Sequence, residues 1–196
     1  MNLPPFIYDA IQHYVHNGHV DAYNSTIHLL GLKKKDKIIE VGCGTGSVAK
    51  HFINNGHEYW GFDIEEDRIK MAQEKFPKGN FLVGDVNKIN DMQLPNINNF
   101  YMHAFLHHLN DEECNKIIDH VLSKKGRKLL IFEPIRPDIW WKKPMSTLMV
   151  NMDDGNYIRT LDEWKELFGN KMTKYTIKSF LPRYPATVLE VLLTKD

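Results

Sequence analysis

The segment that decides the fold is residues 38–46, Ile38-Ile39-Glu40-Val41-Gly42-Cys43-Gly44-Thr45-Gly46. It is an apolar, β-rich run that enters a loop with a glycine at every second position, and a helical pattern begins directly after it. Glycine lets a backbone turn tightly and lets a ligand approach where a Cβ atom would clash. Free N–H groups at the start of a helix add a polar docking site. The segment therefore predicts a strand, a ligand-binding loop and a helix, in that order.

The same alternation of β-rich runs and helical patterns continues through the middle of the chain. Strands are predicted at residues 37–41, 58–62, 80–84, 99–104 and 127–132, and helices at residues 47–55, 65–76 and 111–122. Such repetition indicates an α/β fold in which helices cover both faces of a parallel sheet. Two further β-rich runs, at residues 174–180 and 187–194, are separated by a short gap. A gap that short favours an antiparallel hairpin.

The bulk composition is that of one ordinary globular domain. The 196 residues include 25 Lys and Arg and 25 Asp and Glu, so the formal net charge is zero. This balance argues against an extended nucleic-acid footprint. Two cysteines, Cys43 and Cys114, are too few for a disulfide framework. Because we find neither a leader-like segment nor an apolar run of the roughly 20 residues that span a bilayer, we expect a cytoplasmic protein without a transmembrane segment.

Two carboxylates follow the next two predicted strands. Asp63 lies about 20 residues after Gly42, where a carboxylate can accept hydrogen bonds from both hydroxyls of a ribose. Asp85 follows the third strand, where it can accept from an adenine amino group. Ligands of open parallel sheets bind at the carboxyl ends of the strands, where the strand order reverses. A dinucleotide would require GxGxxG spacing, whereas residues 42–46 read GxGxG, so the pattern favours an adenosyl ligand.

The segment Glu40 to Gly46 resembles motif I of the class I S-adenosylmethionine (SAM)-dependent methyltransferases. The later motifs of this family are similar, in the family's order, to Asp63, Gly84-Asp85 and AFLHHL at residues 104–109. The resemblance extends over residues 35–133. It implies a Rossmann-like, mostly parallel sheet of seven strands in the order 3-2-1-4-5-7-6, with the last strand antiparallel and helices on both faces.

The resemblance also implies roles for individual residues, with SAM as the cofactor and S-adenosylhomocysteine (SAH) as the product. The loop glycines would line the methionine and ribose portion of SAM, and Glu40 would contact its amino end directly or through water. Asp63 would bind the ribose hydroxyls. Ile64 would pack on the adenine, and residues 85–86 would hold its polar edge. The full set expected at the cofactor is Glu40, Gly42, Gly44, Gly46, Asp63, Ile64, Asp85, Val86, His103 and Ala104.

Three histidines lie at or after the end of the predicted fourth strand: His103 is in its last two residues, and His107 and His108 follow it. Methyl transfer needs a nucleophile held in line with the methyl group, and a base only when the acceptor must lose a proton. His103, His107 and His108 are the candidate catalytic residues because histidine titrates near neutral pH. The alternative for His107 and His108 is structural, with one packed under the loop and the other exposed. We expect no metal site, since no ligand set has matching spacing.

The methyl acceptor is expected to contact the segments outside the common core. The candidate acceptor residues are Arg136, Trp140, Tyr157 and Arg159. Tyr157 and Arg159 could offer a stacking ring and an anion-binding fork, or could only anchor their loop to the sheet, and both alternatives stay open. Residues 140–149 could close an apolar pocket or touch a membrane surface, and we favour the first.

The whole chain, residues 1–196, is interpreted as a single domain with four parts. These are an N-terminal helical lid (1–36), a SAM-binding core (37–133), an acceptor-side insertion (134–160) and a C-terminal helix with a hairpin (161–196).

The leading hypothesis is a SAM-dependent methyltransferase that transfers a methyl group to an O or N atom of a small-molecule acceptor. One alternative is a protein or RNA methyltransferase, which would need an additional recognition surface. Another is a non-catalytic protein that binds SAM or SAH, because its cofactor motifs would be identical. An NAD-dependent oxidoreductase is disfavoured by the GxGxG spacing and by Asp85.

Overall fold

A computed structural model describes residues 20–89, 96–138, 147, 155–180 and 184–194. Its helices are α1 (Val20–Leu30), α2 (Ala49–Asn54), α3 (Glu66–Lys75), α4 (Asp111–Val121) and α5 (Leu161–Phe168). Its strands are β1 (Lys37–Val41), β2 (Glu58–Asp63), β3 (Asn80–Val83), β4 (Asn99–His103), β5 (Lys128–Ile135), β6 (Met172–Phe180) and β7 (Tyr184–Thr194). Short 3-10 turns occur at Val86–Lys88, Leu106–His108 and Gly169–Lys171.

The seven strands form one sheet in the order β3-β2-β1-β4-β5-β7-β6. The first five strands are parallel to one another, and β7 pairs antiparallel with both β5 and β6. The predicted fold class and strand order are therefore confirmed. The strand order reverses between β1 and β4, and this places the loop after β1 at the edge where ligands of such sheets bind.

Apolar side chains alternate between the two faces of the central strands. On one face, Ile39, Val41 and Met102 belong to a buried cluster with the apolar side of α4 and α5. On the other face, Ile38 and Leu130 are buried with residues of α1, α2 and α3. Because both faces are covered, the central strands read as nearly continuous apolar runs, as is usual for parallel sheets. No helix among the described residues is long and apolar enough to cross a membrane.

The fifth strand extends further than the sequence pattern predicts. It continues past Phe132 to Ile135 and includes Pro134, which lies opposite Val188 of β7. Proline lacks an N–H group and therefore normally argues against a central strand. Its pairing with β4 stops at Phe132, opposite His103, so the last part of β5 has a neighbouring strand on one side only, where proline is tolerated. The prediction that the fifth strand ends at residue 132 was wrong for this reason.

Candidate functional site

The glycine loop is tied to the end of β2 by backbone hydrogen bonds. The N–H groups of Gly42 and Cys43 donate to the Phe62 carbonyl oxygen, at 2.9 and 3.1 Å. The N–H of Gly44 donates to Oδ2 of Asp63, at 2.9 Å. All three loop glycines have positive φ angles, 72° at Gly42, 51° at Gly44 and 73° at Gly46. The loop therefore needs glycine for its backbone conformation alone, before any ligand is considered.

The three glycines differ in what surrounds them. A Cβ atom at Gly44 would meet no described atom within 4 Å, so this position is open to a ligand. At Gly46, a Cβ atom would approach the rings of Phe76 and Phe81 to 3.1 Å. This glycine lets α3 and β3 pack closely against the loop.

At Gly42, a Cβ atom would come within 2.3 Å of the Phe105 ring. We expect Gly42→Ala to lower the free energy of unfolding by about 2 kcal/mol, roughly half from the left-handed backbone and half from displacing that ring. Urea denaturation measures the difference. Gly126 is a matched control, because its φ is 83° and no described atom lies within 4 Å of its Cβ position.

Gly126→Ala is expected to cost only the backbone part, about 1 kcal/mol. In the Phe105→Ala background the ring is absent, so Gly42→Ala should cost only the backbone part, about 1 kcal/mol. A double-mutant cycle measures this reduction of the loss. Equal losses for Gly42→Ala and Gly126→Ala would contradict the close contact with Phe105.

The predicted strand-end residues meet in one pocket of about 180 Å³. Gly42, Asp63, Ile64, Asp85 and Val86 all line it. The pocket is closed on the other side by the start of the loop after β4 and by α4, through Phe105, Leu109, Glu113 and Ile117. Those four residues were not predicted. They come from a loop and a helix whose approach to the glycine loop is decided by packing.

The two carboxylates of the pocket face it from bent loops. Asp63 accepts the N–H of Glu65 at 3.0 Å through its Oδ1 atom, and Asp85 accepts the N–H of Asn87 at 2.9 Å. The hydrogen bond from Asn87 lowers the pKa of Asp85 below its usual value, so this carboxyl is ionised at neutral pH. The side chain of Ile64 is 70% exposed beside them. An exposed apolar side chain next to two acceptors is an arrangement suited to a ring system that carries hydrogen-bond donors.

The remaining residues predicted at the cofactor do not line this pocket as described. Glu40 is buried beside the pocket lining, where it accepts a hydrogen bond from the hydroxyl of Tyr59. His103 is partly exposed at the end of β4, with its ring 4.7 Å from that of Phe132. Ala104 follows with a φ of 50°, unusual for a residue with a side chain. The left-handed turn at Ala104 redirects the chain from β4 toward the glycine loop.

His107 and His108 have different environments. His107 is buried, and its Nδ1 atom lies 2.6 Å from Oε2 of Glu133. His108 is exposed, with its ring centre 4.2 Å from that of His107. This arrangement favours the structural alternative for His107, because its ring lies under the loop. Within the described ranges, no group of three or more His, Cys, Asp or Glu side chains could hold a metal ion.

The contacts of Arg159 favour loop anchoring over binding of an acceptor. The residue is 6% exposed. Its guanidinium donates twice to Asp111, at 2.9 and 2.6 Å, and to the carbonyl oxygens of Leu106, Leu109 and Tyr157, at 3.4, 2.8 and 3.0 Å. These contacts occupy the donors that an acceptor would need.

Two other candidate acceptor residues lie near the surface, and a third is not described. Tyr157 is 43% exposed, and its N–H donates to the His107 carbonyl oxygen at 2.9 Å. One nitrogen of Arg136, Nη2, lies 2.9 Å from each carboxylate oxygen of Glu163 and forms an ion pair with it. Trp140 and most of residues 140–149 lie outside the described part of the chain, as does most of the predicted lid.

The sequence and the fold both have known relatives. Residues 38–126 match the family of methyltransferase domains. An uncharacterized methyltransferase of Oceanobacillus iheyensis is 32% identical over 95 residues, which is 47% of this chain and 44% of the relative. The chain thus spans about half the length of this curated relative.

Two solved structures share the fold. Human N-acetylserotonin methyltransferase in complex with SAM has a TM-score of 0.70 at 18% identity, over 96% of this chain and 55% of that one. Magnesium protoporphyrin IX methyltransferase from Synechocystis PCC 6803 with bound SAM has a TM-score of 0.63 at 20% identity, over 92% and 82%.

The strand order, the glycine loop with its two strand-end carboxylates and the matched domain define the class. Residues 38–126 are thus similar to a methyltransferase domain, and the sheet has the fold of the class I, SAM-dependent methyltransferases. The resemblance inferred from the sequence is therefore confirmed.

Proposed function

We propose that this protein transfers the methyl group of SAM to an O or N atom of a small-molecule acceptor by in-line displacement. The observation that carries the proposal is the shared pocket of Gly42, Asp63 and Asp85 at the carboxyl edge of the sheet. Supporting it, the matched family is one of methyltransferase domains, and a structural neighbour is named for a small molecule, N-acetylserotonin.

Three features of the pocket fit an adenosyl group. Ionised carboxylates only accept hydrogen bonds, and a nucleoside presents hydroxyl and amino donors to Asp63 and Asp85. The exposed side chain of Ile64 offers apolar surface for the adenine ring. The open Cβ position of Gly44 leaves room for a close approach to the backbone. Bound there, SAM would supply a methyl group on a sulfonium, already electrophilic without further activation.

The chain's own contribution is then binding, orientation and exclusion of water. Holding two reactants in a near-attack geometry contributes roughly 7–11 kcal/mol in favourable cases. Of the three histidines, His103 has the position best suited to face an acceptor, since it ends β4 and is partly exposed. It serves as the base when the acceptor must lose a proton. His107 packs under the loop instead, and His108 is exposed beside it.

The acceptor is proposed to lie over the carboxyl edge of the sheet, bounded by the insertion at residues 134–160 and by the N-terminal segment, residues 1–36. Tyr157 is the candidate contact whose exposure, 43%, leaves it available. The zero net charge of the chain supports a small molecule over RNA. In the four-part division of the domain proposed from the sequence, the other two parts are the SAM-binding core, residues 37–133, and the C-terminal helix with its hairpin, residues 161–196.

Calorimetric titration of the full chain with SAM, SAH and NAD tests the cofactor. Binding of SAM and SAH, without NAD, is the expected result. Retained binding of NAD without SAM or SAH would refute the proposal. Transfer of a labelled methyl group from SAM to a panel of small hydroxyl and amine compounds then tests catalysis. Binding without transfer to small molecules, proteins or RNA would favour a non-catalytic SAM-binding protein, and transfer only to protein or RNA would favour a macromolecular methyltransferase.

We expect Asp63→Asn to weaken SAM binding by roughly tenfold, as the loss of a charge-assisted hydrogen bond implies. Both oxygens of Asp63 already accept backbone N–H groups, from Gly44 and Glu65. An amide nitrogen in place of one oxygen would therefore face a donor and loosen the glycine loop. Asp67→Asn is the matched control, since Asp67 is exposed on α3 and does not line the pocket. Calorimetry should show unchanged affinity for the control, and an unchanged Asp63→Asn would remove Asp63 from the ribose role.

A further inference from the structure

A buried carboxylate at the end of β5 has no role in the function proposed so far. Glu133 has no exposed surface. Its Oε1 atom accepts the backbone N–H groups of Phe105 and Leu106, at 2.8 and 2.7 Å. Its Oε2 atom lies 2.6 Å from Nδ1 of His107. One side chain thus holds three consecutive residues of the loop that follows β4.

The contact with Glu133 favours the form of His107 that carries a hydrogen on Nδ1. A carboxylate oxygen accepts, so the Nδ1 atom of His107 donates. The ring is consequently held at a fixed angle under the loop. In Glu133→Gln, the side-chain NH2 group would donate a hydrogen bond to Nδ1 of His107. The ring would then adopt the tautomer that carries its hydrogen on Nε2, so that Nδ1 can accept.

The loop that Glu133 holds forms one wall of the pocket. The turn at Ala104, with its φ of 50°, leads the chain off β4. The Phe105 ring then lies against the backbone of Gly42 and lines the pocket with Asp63 and Asp85. The position of that ring is therefore set directly by the hydrogen bond between the Phe105 N–H group and Glu133.

The opposite side of the same loop is held by the acceptor-side segment. Arg159 donates to the carbonyl oxygens of Leu106 and Leu109, and the N–H of Tyr157 donates to the His107 carbonyl oxygen. Two N–H groups of the loop, those of Phe105 and Leu106, thus point to Glu133. The carbonyl oxygens of Leu106, His107 and Leu109 accept from residues 157–159. A loop with its polar groups satisfied from both sides has one preferred position.

We propose that Glu133 is a positioning residue of the cofactor site, holding the loop so that Phe105 forms the wall opposite the strand-end carboxylates. The inference rests on the proposed function. Glu133 acts through the loop and need not touch SAM. Its signal in the sequence is the one that also marks Asp63 and Asp85, a carboxylate at the carboxyl end of a parallel strand.

The test compares two substitutions of Glu133 with a core substitution far from the site. Glu133→Ala leaves the N–H groups of Phe105 and Leu106 without their acceptor. Glu133→Gln keeps an oxygen for both N–H groups and offers an amide hydrogen to His107. Leu193→Ala opens a cavity in the core opposite Leu129, at the other end of β5. It is the control for lost stability alone.

The readouts are SAM affinity by calorimetry and hydrogen exchange of the amides of Phe105 and Leu106. We expect Glu133→Ala to weaken SAM binding about tenfold and to speed exchange of both amides. Glu133→Gln should stay within about twofold of the wild type, and Leu193→Ala should lower the melting temperature without changing affinity. Unchanged affinity and unchanged exchange in Glu133→Ala, or an equal loss of affinity in Leu193→Ala, would overturn the proposal.

The experiment distinguishes a failure of the proposed function from a failure of the proposed role of Glu133. If the wild type fails to bind SAM, the proposed function fails, and the exchange measurement still decides whether Glu133 holds the loop. If Glu133→Ala does not fold, Phe105→Ala replaces it, since it removes the wall and leaves Glu133 in place. Weaker SAM binding in Phe105→Ala supports the proposal, and unchanged affinity overturns it.

Discussion

Replacement of Arg159 by methionine is expected to lower the free energy of unfolding by about 3 kcal/mol, the scale of losing one partner of a buried, charge-assisted network. Methionine keeps much of the side-chain length that packs on Trp164, over whose ring the guanidinium lies at 4.7 Å. What it loses is every hydrogen bond to Asp111 and to the carbonyl oxygens of Leu106 and Leu109. Urea denaturation, monitored by circular dichroism, measures the change.

Arg136 supplies the matched control for that experiment. Its ion pair with Glu163 has good geometry, but both side chains are about half exposed, at 50% and 49%. Exposed pairs contribute about 0–1 kcal/mol, so Arg136→Met should change the stability by less than 1 kcal/mol. Equal effects of Arg136→Met and Arg159→Met would contradict the anchoring role of Arg159 and reopen its role at the acceptor.

The second large effect concerns the buried carboxyl of Glu40. Its pKa is raised from 4.5 to about 8, chiefly by burial. The hydrogen bond from Tyr59 acts in the opposite direction, and the charge of Asp63 adds a smaller contribution to the rise. The folded protein binds the Glu40 proton more tightly than the unfolded chain does. The contribution of this proton to the free energy of unfolding is therefore complete below about pH 4.5. It is lost as the pH rises toward 8. For one proton the loss is about 1.4 kcal/mol per pH unit at most.

Glu40→Gln should remove that loss, because the amide stays neutral and its oxygen still accepts from Tyr59. The free energy of unfolding, measured in urea between pH 5 and 8, should fall less steeply for the variant than for the wild type. At pH 8 the variant is expected to be the more stable by several kcal/mol. Glu74→Gln, at an exposed position of α3, is the control and should keep the wild-type slope. A Glu40→Gln slope as steep as the wild type would show that Glu40 does not titrate in this range.

Much of the fold could be read from the sequence, because its signals are local. The β-rich runs before Gly42, Asp63 and Asp85 predicted three neighbouring strands, and the short gap between residues 180 and 187 predicted the hairpin. The pattern failed where two local rules conflicted. Pro134 reads as a strand breaker, and only the loss of the β4 partner beyond Phe132 explains why it is accepted in β5.

The part of the site that depends on local sequence signals could also be predicted. Asp63 and Asp85 were predicted at the pocket because a parallel sheet brings consecutive strand ends to one edge. Ile64 and Val86, which also line it, were expected from the resemblance to the methyltransferase family. Phe105 and the residues of α4 were not predicted as its opposite wall. No local pattern states how far a loop leans over its neighbour, since that distance depends on contacts between residues remote in sequence.

The glycine loop illustrates the division between the two. Its sequence predicted a strand, a glycine loop and a helix at residues 38–55, and its GxGxG spacing favoured an adenosyl ligand. Only the tertiary structure separated the glycines into one open to a ligand, one under Phe105 and one packed against α3. For Glu133 and Arg159 the sequence likewise gives only the kind of side chain, and the tertiary structure gives its role. Their roles were decided by which buried backbone groups lack a partner once the strands and loops are assembled, because a polar group removed from water must find its hydrogen bond within the fold.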